Sequence, residues 1–177
     1  EQHGHIRALS LEVYSELLEE ALRKLKGEAK EERRHVTLDL GVSARLPAEY
    51  VPSLDGRSRY YGRLAEARSL AEVSRIAREL KDRYGPLPEE AENLLALVRL
   101  RLVAERKGVV SITEDLTHLQ AIFPRWPLDY DAKALGRLPF RVELTQYPPG
   151  FRLEKKGLKP RDYPEALLQA LYLFADT

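Results

Sequence analysis

Residues 69–108 read SLAEVSRIARELKDRYGPLPEEAENLLALVRLRLVAERKG, and the fold is decided there, because start signals, stop signals and apolar period all agree. Ser69 with Glu72 three residues on is a capping-box pattern, in which each side chain satisfies a backbone N–H that the first helical turn leaves unpaired. Leu70, Val73, Ile76, Ala77, Leu80 and Tyr84 then recur at steps of three and four, which is one stripe of a helix turned toward a core. Gly85 stops this helix by taking the left-handed cap conformation, and Pro86 and Pro88 cannot continue it. Pro88 can open the next one, since the N–H it lacks would be unpaired anyway, and Glu89 and Glu90 suit the positive end of the helix dipole. The second helix runs to Arg106, Lys107 and Gly108. It is apolar over much of its circumference (Ala91, Leu94, Leu95, Val98 and Leu102, with Leu97, Leu100 and Val103 beside them), so the spacing predicts a helical hairpin whose second arm is the central helix.

Working outward, the bulk composition narrows the possibilities. A chain of 177 residues is long enough to bury a core, as one domain or one domain with a tail. Without cysteine it has no disulfide framework, thiolate metal site or cysteine nucleophile, and a reducing cytoplasm is the expected home. A formal net charge of +1, from 29 basic and 28 acidic side chains, argues against a strong sequence-independent grip on nucleic acid, which needs a basic excess. No apolar run approaches the roughly 20 residues of a membrane span, so no membrane partner is expected. The chain holds no methionine and opens EQHGHIR, as an excised piece of a longer product would. Heavy use of Arg, Glu and Leu beside a single asparagine, Asn93, fits a thermophile and equally a GC-rich genome.

Residues 1–10 have no period and read as a linker; His3 and His5 find no third ligand at metal spacing. Ser10 can cap an amphipathic helix over 11–26, with Leu11, Tyr14, Leu18, Ala21 and Leu25 on one face, and the run EAKEERR at 28–34 reads as a solvated charged linker. From Val36 to Leu46, apolar residues alternate strictly with Thr37, Asp39, Gly41, Ser43 and Arg45, which predicts a long half-buried strand, bent or bulged at Gly41 and ended by Pro47. Beyond Gly108, residues 109–113, 116–123, 140–147 and 151–154 read as short strands, and 163–174 as a last helix. This order is not the βαβα alternation of a doubly wound sheet. The predicted class is α+β, with a helical hairpin and amphipathic helices packed on a small mixed or antiparallel sheet.

Glu79-Leu80-Lys81-Asp82-Arg83-Tyr84-Gly85-Pro86-Leu87-Pro88 resembles the E-L-x-D-R-[FY]-G-x-L-P signature of the C-terminal domain of bacterial transcription-repair coupling factors. Gln2, Gly4, His5 and Ile6 are similar to that family's Q-x-G-H-I lead, and residues 13–21 to its L-Y-x-x-L-L-E-E-A run. Residues 46–52 resemble its I-P-x-x-Y-[IV]-x, and residues 56–67 its R-L-x-L-Y-x-R-[IL]-A helix, with Ser58 where the family tends to be apolar and Gly62 where it tends to be basic. The likeness is close over about 2–108 and general beyond. It implies that residues 1–10 lead out of a motor domain and that 11–177 form a regulatory domain of an ATP-driven DNA translocase that displaces stalled RNA polymerase and recruits nucleotide excision repair. The implied role is autoinhibition: the domain docks on the parent's UvrB-like module and masks its UvrA-binding surface. ATP and magnesium would belong to the parent motor, with no cofactor here. DNA and RNA polymerase would be met through the parent, DNA weakly or not at all by this domain, and a DNA-binding accessory domain is the alternative.

The chemistry-bearing motifs agree with a non-enzymatic role. No G-x-x-x-x-G-K-[ST], G-x-S-x-G or H-E-x-x-H pattern occurs, and His118, in an apolar strand, reads as a packed or edge histidine. Two basic clusters, Arg99, Arg101, Arg106 and Lys107, and Arg57, Arg59 and Arg63 beside Tyr60 and Tyr61, are candidates for phosphate contact and base stacking, or else charged helix faces. Glu79 and Asp82 lie about 60° apart at 100° per residue, on the side opposite the apolar stripe. On geometry alone they read as local ion pairs with Arg75 and Arg78, four residues back. The resemblance implies instead that Glu79, Asp82 and Arg83 meet a partner, the two carboxylates docking on arginines of the UvrB-like module.

Overall fold

Helix α1, Leu54–Glu66, starts at Ser53, whose hydroxyl accepts the Gly56 N–H at 3.1 Å. The computed structural model describes residues 18, 19, 22, 36–126 and 128–176. Of the helix expected over 11–26, Leu18, Glu19 and Leu22 are described and are helical; the rest of it, the lead at 1–10 and the charged run at 28–34 lie outside the described residues. The described residues fall into two compact units, one holding residues 18, 19, 22 and 43–99 and the other 36–42 with 100–176.

The first unit is helical. α1 buries Tyr60, Tyr61, Leu64 and Ala65. Ser58 is exposed, and a methyl group added at Gly62 would meet nothing within 4 Å, so both departures from the family pattern sit where packing does not constrain them. Helix α2, Leu70–Tyr84, buries Val73, Ile76, Ala77 and Leu80, and the Ser69 hydroxyl accepts the Glu72 N–H at 3.2 Å. The reciprocal arm of the box shifts by one residue: the Glu72 carboxylate accepts from the N–H of Arg68 at 2.6 Å, not of Ser69. Gly85 caps α2 with φ +88° as the sequence requires, but its ψ of −165° departs from the expected left-handed cap. This is the extended positive-φ region open essentially to glycine alone. Its N–H still donates to Lys81 O at 2.9 Å, and the chain then leaves straight into Pro86. Helix α3, Glu89–Arg106, begins after Pro88 and buries Ala91, Leu94, Leu95, Leu97 and Val98 in this unit.

The expected strand over 36–46 needs correction. Only β1, Thr37–Asp39, joins a ladder. At Gly41 the chain bends, with Val42 N–H donating to Leu40 O at 2.8 Å and the Gly41 N–H to the Glu114 carboxylate, so pairing stops. Alternating burial nonetheless persists through Val42, Ala44 and Leu46, because an extended chain alternates its side chains with or without a partner strand. Residues 43–46 are bonded by helices instead: Arg45 N–H donates to Glu90 O at 3.1 Å, Arg45 Nε to Glu90 Oε1 at 2.8 Å, Asn93 Nδ2 to Ser43 O at 2.8 Å and Leu46 N–H to Tyr61 Oη at 2.8 Å.

The second unit carries a five-stranded mixed sheet in the order β1-β2-β3-β5-β4, with β2 Ser111–Glu114, β3 His118–Ile122, β4 Val142–Gln146 and β5 Pro149–Glu154. β1 and β2 run parallel (Leu38 opposite Ile112), and the other pairs are antiparallel (Ala121 opposite Phe151, Leu119 opposite Leu153). β3 starts two residues later than expected because the Asp115 carboxylate accepts the Thr117 and His118 N–H groups, each at 2.8 Å. That turn leaves Leu116 at the tip, 96% exposed. Short helix α4, Ala132–Leu135, and helix α5, Tyr163–Leu171, complete the unit. Ile112, Leu119, Phe151, Leu153, Leu167 and Leu171 are fully buried, and Phe174 packs against Phe151 and Phe123 with ring centres 5.2 and 5.3 Å away. The architecture is the expected α+β.

Candidate partner-docking surface

The surface singled out by the ELKDRYG segment lies on α2, in the first unit. Burying Val73, Ile76, Ala77 and Leu80 turns Arg75, Arg78, Asp82 and Arg83 to solvent and leaves Glu79 at the edge of the packed face. Arg75, Arg78, Glu79, Asp82 and Arg83 line one open concavity.

Glu79 does not make the local pair with Arg75 that its spacing suggested. Its carboxylate is held from α1: Arg63 Nη1 donates to Oε1 at 2.9 Å and Nη2 to Oε2 at 2.8 Å, while Tyr60 Oη donates to Oε1 at 3.0 Å. The Arg63 bonds, with Tyr60 adding to them, hold the Glu79 carboxyl below its ordinary value. The same pair raises Arg63, and burial with the Glu79 bond raises the Tyr60 phenol. Since Glu79 keeps 41% of its side chain exposed, and a carboxylate offers about four acceptor positions, Oε2 retains a free lone pair toward solvent. Asp82 has no hydrogen-bond or ion-pair partner among the described residues, so the local pairs with Arg75 and Arg78 are not made. Arg83 lies over the Tyr84 ring at 5.5 Å. Tyr84 sits in turn 5.8 Å from Tyr50, whose hydroxyl donates to Gly85 O at 2.8 Å and Leu80 O at 3.0 Å, fixing the end of α2.

The basic clusters weighed for nucleic acid are largely committed inside the protein. Arg57 donates to the Val51 and Pro52 carbonyls at 2.7 and 2.9 Å, Arg63 holds Glu79, and Tyr60 and Tyr61 are buried, so neither ring offers a face for stacking. In the second unit Arg101 is buried against Glu105 at 3.3 Å, and Lys107 is buried with Nζ 2.6 Å from Phe174 O and 2.7 Å from Asp176 Oδ1. His118 is half-buried on β3, its Nδ1 2.7 Å from Thr117 Oγ1 and 3.0 Å from Arg152 Nη2. It belongs to the turn held by Asp115, which also accepts from Arg152 at 3.0 Å. Among the described residues no group of three or more His, Asp or Glu side chains is placed to hold a metal ion, and no helix is long and apolar enough to cross a membrane.

With that geometry in place, comparisons with known proteins converge. The TRCF domain family model matches residues 40–130. Over 124 residues the chain is 38% identical to the transcription-repair-coupling factor of Mycobacterium tuberculosis (strain CDC 1551 / Oshkosh), taking in 64% of this chain and 10% of that protein. The factor of Haemophilus influenzae is 37% identical over 117 residues, 63% of this chain and 10% of its own length. That of Escherichia coli (strain K12) is 33% identical over 114 residues, 62% of this chain and 10% of its own. The chain thus spans about a tenth of the length of these curated relatives. A crystal structure of the C-terminal domain of a transcription-repair coupling factor shares the fold, with a TM-score of 0.71 at 16% identity over 80% of this chain and 94% of that one.

Proposed function

The chain belongs to the TRCF domain family, and from that premise we propose that it is the regulatory C-terminal domain of a transcription-repair coupling factor, acting by docking on the parent's UvrB-like module and masking the surface that recruits UvrA. The parent is then an ATP- and magnesium-dependent DNA translocase that acts on stalled RNA polymerase, and this domain restrains it without catalysing a step. One observation carries the reading: α2 presents an unpartnered carboxylate, Asp82, one turn from a second, Glu79, that Arg63 and Tyr60 hold in fixed orientation with a lone pair left over. Preset acceptors at this spacing suit guanidinium donors, whose bonds to carboxylates are charge-assisted and two-pronged. Removing one partner of a desolvated contact of that kind costs about 2–5 kcal/mol of docking energy, much of it from leaving the other charge unpaired.

Calorimetric titration of the chain against the purified UvrB-like module tests this. Binding by the wild type and its loss in the double change Glu79→Arg with Asp82→Arg are expected. A wild-type chain that does not bind the module overturns the reading. In the full-length parent the same double change should raise UvrA binding and basal ATP turnover.

A further inference from the structure

The concavity on α2 has an anion-accepting half that the carboxylate pair does not explain. Arg75 and Arg78 are exposed, and among the described residues neither has a hydrogen-bond or ion-pair partner: the two carboxylates four residues along the helix are, respectively, taken by Arg63 and left alone. Three residues apart, they sit about 60° around the helix and about 4.5 Å along it from one another, side by side on one face. Arg63 cancels the charge of Glu79, so Arg75, Arg78 and Arg83 stand around a single uncommitted carboxylate, Asp82.

We infer that Arg75 and Arg78 donate to carboxylates of the docking partner, so that the segment occupying the concavity is an acidic stretch of protein with an arginine reserved for Asp82. This rests on the docking reading above and adds the partner's chemistry to it. A partner contributing arginines alone would bring cations against three cations already there, which costs affinity rather than adding to it. Nucleic acid suits the surface less well, because a phosphate backbone is anionic throughout and has no cation to offer Asp82, whereas a protein segment can carry both signs. Free guanidiniums alternating with a free carboxylate match a protein surface of mixed, complementary sign.

The test is calorimetric titration of the 177-residue chain, wild type against Arg75→Glu with Arg78→Glu, into the purified UvrB-like module, with melting curves of each variant. A folded double variant should bind at least about tenfold more weakly, as loss of two interfacial charge pairs requires. Arg75→Gln with Arg78→Gln serves if the reversal does not fold, and should weaken binding by a smaller factor in the same direction. Wild-type binding with an undiminished double variant overturns this inference and leaves the docking reading standing. No wild-type binding overturns both. A 30-base-pair DNA duplex, titrated as the second probe, gives the remaining outcome: tight, steeply salt-dependent binding that the double variant loses, with module binding intact, makes the face a nucleic-acid interface and overturns the inference.

Discussion

Arg63 on α1 grips Glu79 on α2 with both terminal nitrogens, at 2.9 and 2.8 Å, although the two residues are sixteen apart in the chain. The pair therefore joins two helices, where the local pairs suggested by sequence spacing would have stayed within one.

Its contribution should be visible in the pH dependence of stability. The folded Glu79 carboxyl lies below its ordinary 4.5, so the unfolded chain binds the proton more readily. The stabilisation is then fully present above about pH 4.5 and is lost as pH falls through the lower folded value. Because the pair is partly exposed, solvent screening limits it to about 0.5–1 kcal/mol. Urea unfolding of wild type and Arg63→Ala should differ by that amount at pH 7 and converge toward pH 2; a constant difference would assign the loss to packing of the arginine stem.

Gly85 distinguishes two kinds of cap. In a left-handed cap asparagine substitutes for glycine with little cost. At φ +88° and ψ −165° it should not, and Gly85→Asn and Gly85→Ala should each cost about 1–3 kcal/mol. Nothing lies within 4 Å of an added Cβ, so the penalty is in the backbone alone. Thermal melts in which asparagine is silent and alanine costly would show an ordinary left-handed cap in solution.

Gly150 fails for the opposite reason. A Cβ there would collide with the Ala121 carbonyl oxygen across the β3–β5 ladder, and a backbone atom cannot rotate away. Gly150→Ala should destabilise by about 3 kcal/mol or more, as forced overpacking does. Amide exchange should then accelerate in β3 and β5 first.

Lys107 is the internal anchor of the carboxyl-terminal segment, donating to Phe174 O and to Asp176. Lys107→Met keeps the stem and leaves the Phe174 carbonyl without that donor, at a cost of about 1–3 kcal/mol. The Ala175 and Asp131 amides, bonded at 3.0 and 2.9 Å to Asp129 O and Leu173 O, should lose protection against exchange; unchanged protection would mean Phe174 is held by its ring contacts alone.

The hairpin of α2 and α3 was legible because its signals are local: a cap at Ser69, a stop at Gly85 and a period between them. The strands of the second unit were legible to within a residue or two, and failed where a side chain intervened, as the Asp115 carboxylate does at Leu116. Residues 40–46 misled because alternation reports an extended chain and is silent about whether another strand pairs with it. At the proposed docking surface, helical geometry turned both Glu79 and Asp82 outward; Asp82 is exposed as expected, whereas Glu79 sits at the edge of the packed face. The engagement of Glu79 by Arg63 and Tyr60 was invisible, since nothing in a sequence fixes which residues of α1 face α2 until both are packed.

The segment from Ser43 to Leu46 carries a consequence for solubility. Extended and alternating, it is a short stretch whose amides, when open, offer an edge for pairing with another chain. Here the Arg45 and Leu46 N–H groups and the Ser43 carbonyl are already taken by Glu90, Tyr61 and Asn93. The Glu90 main-chain carbonyl and the Tyr61 and Asn93 side chains thus act as gatekeepers as well as packing partners, and Asn93→Ala or Tyr61→Phe should raise self-association measured by light scattering.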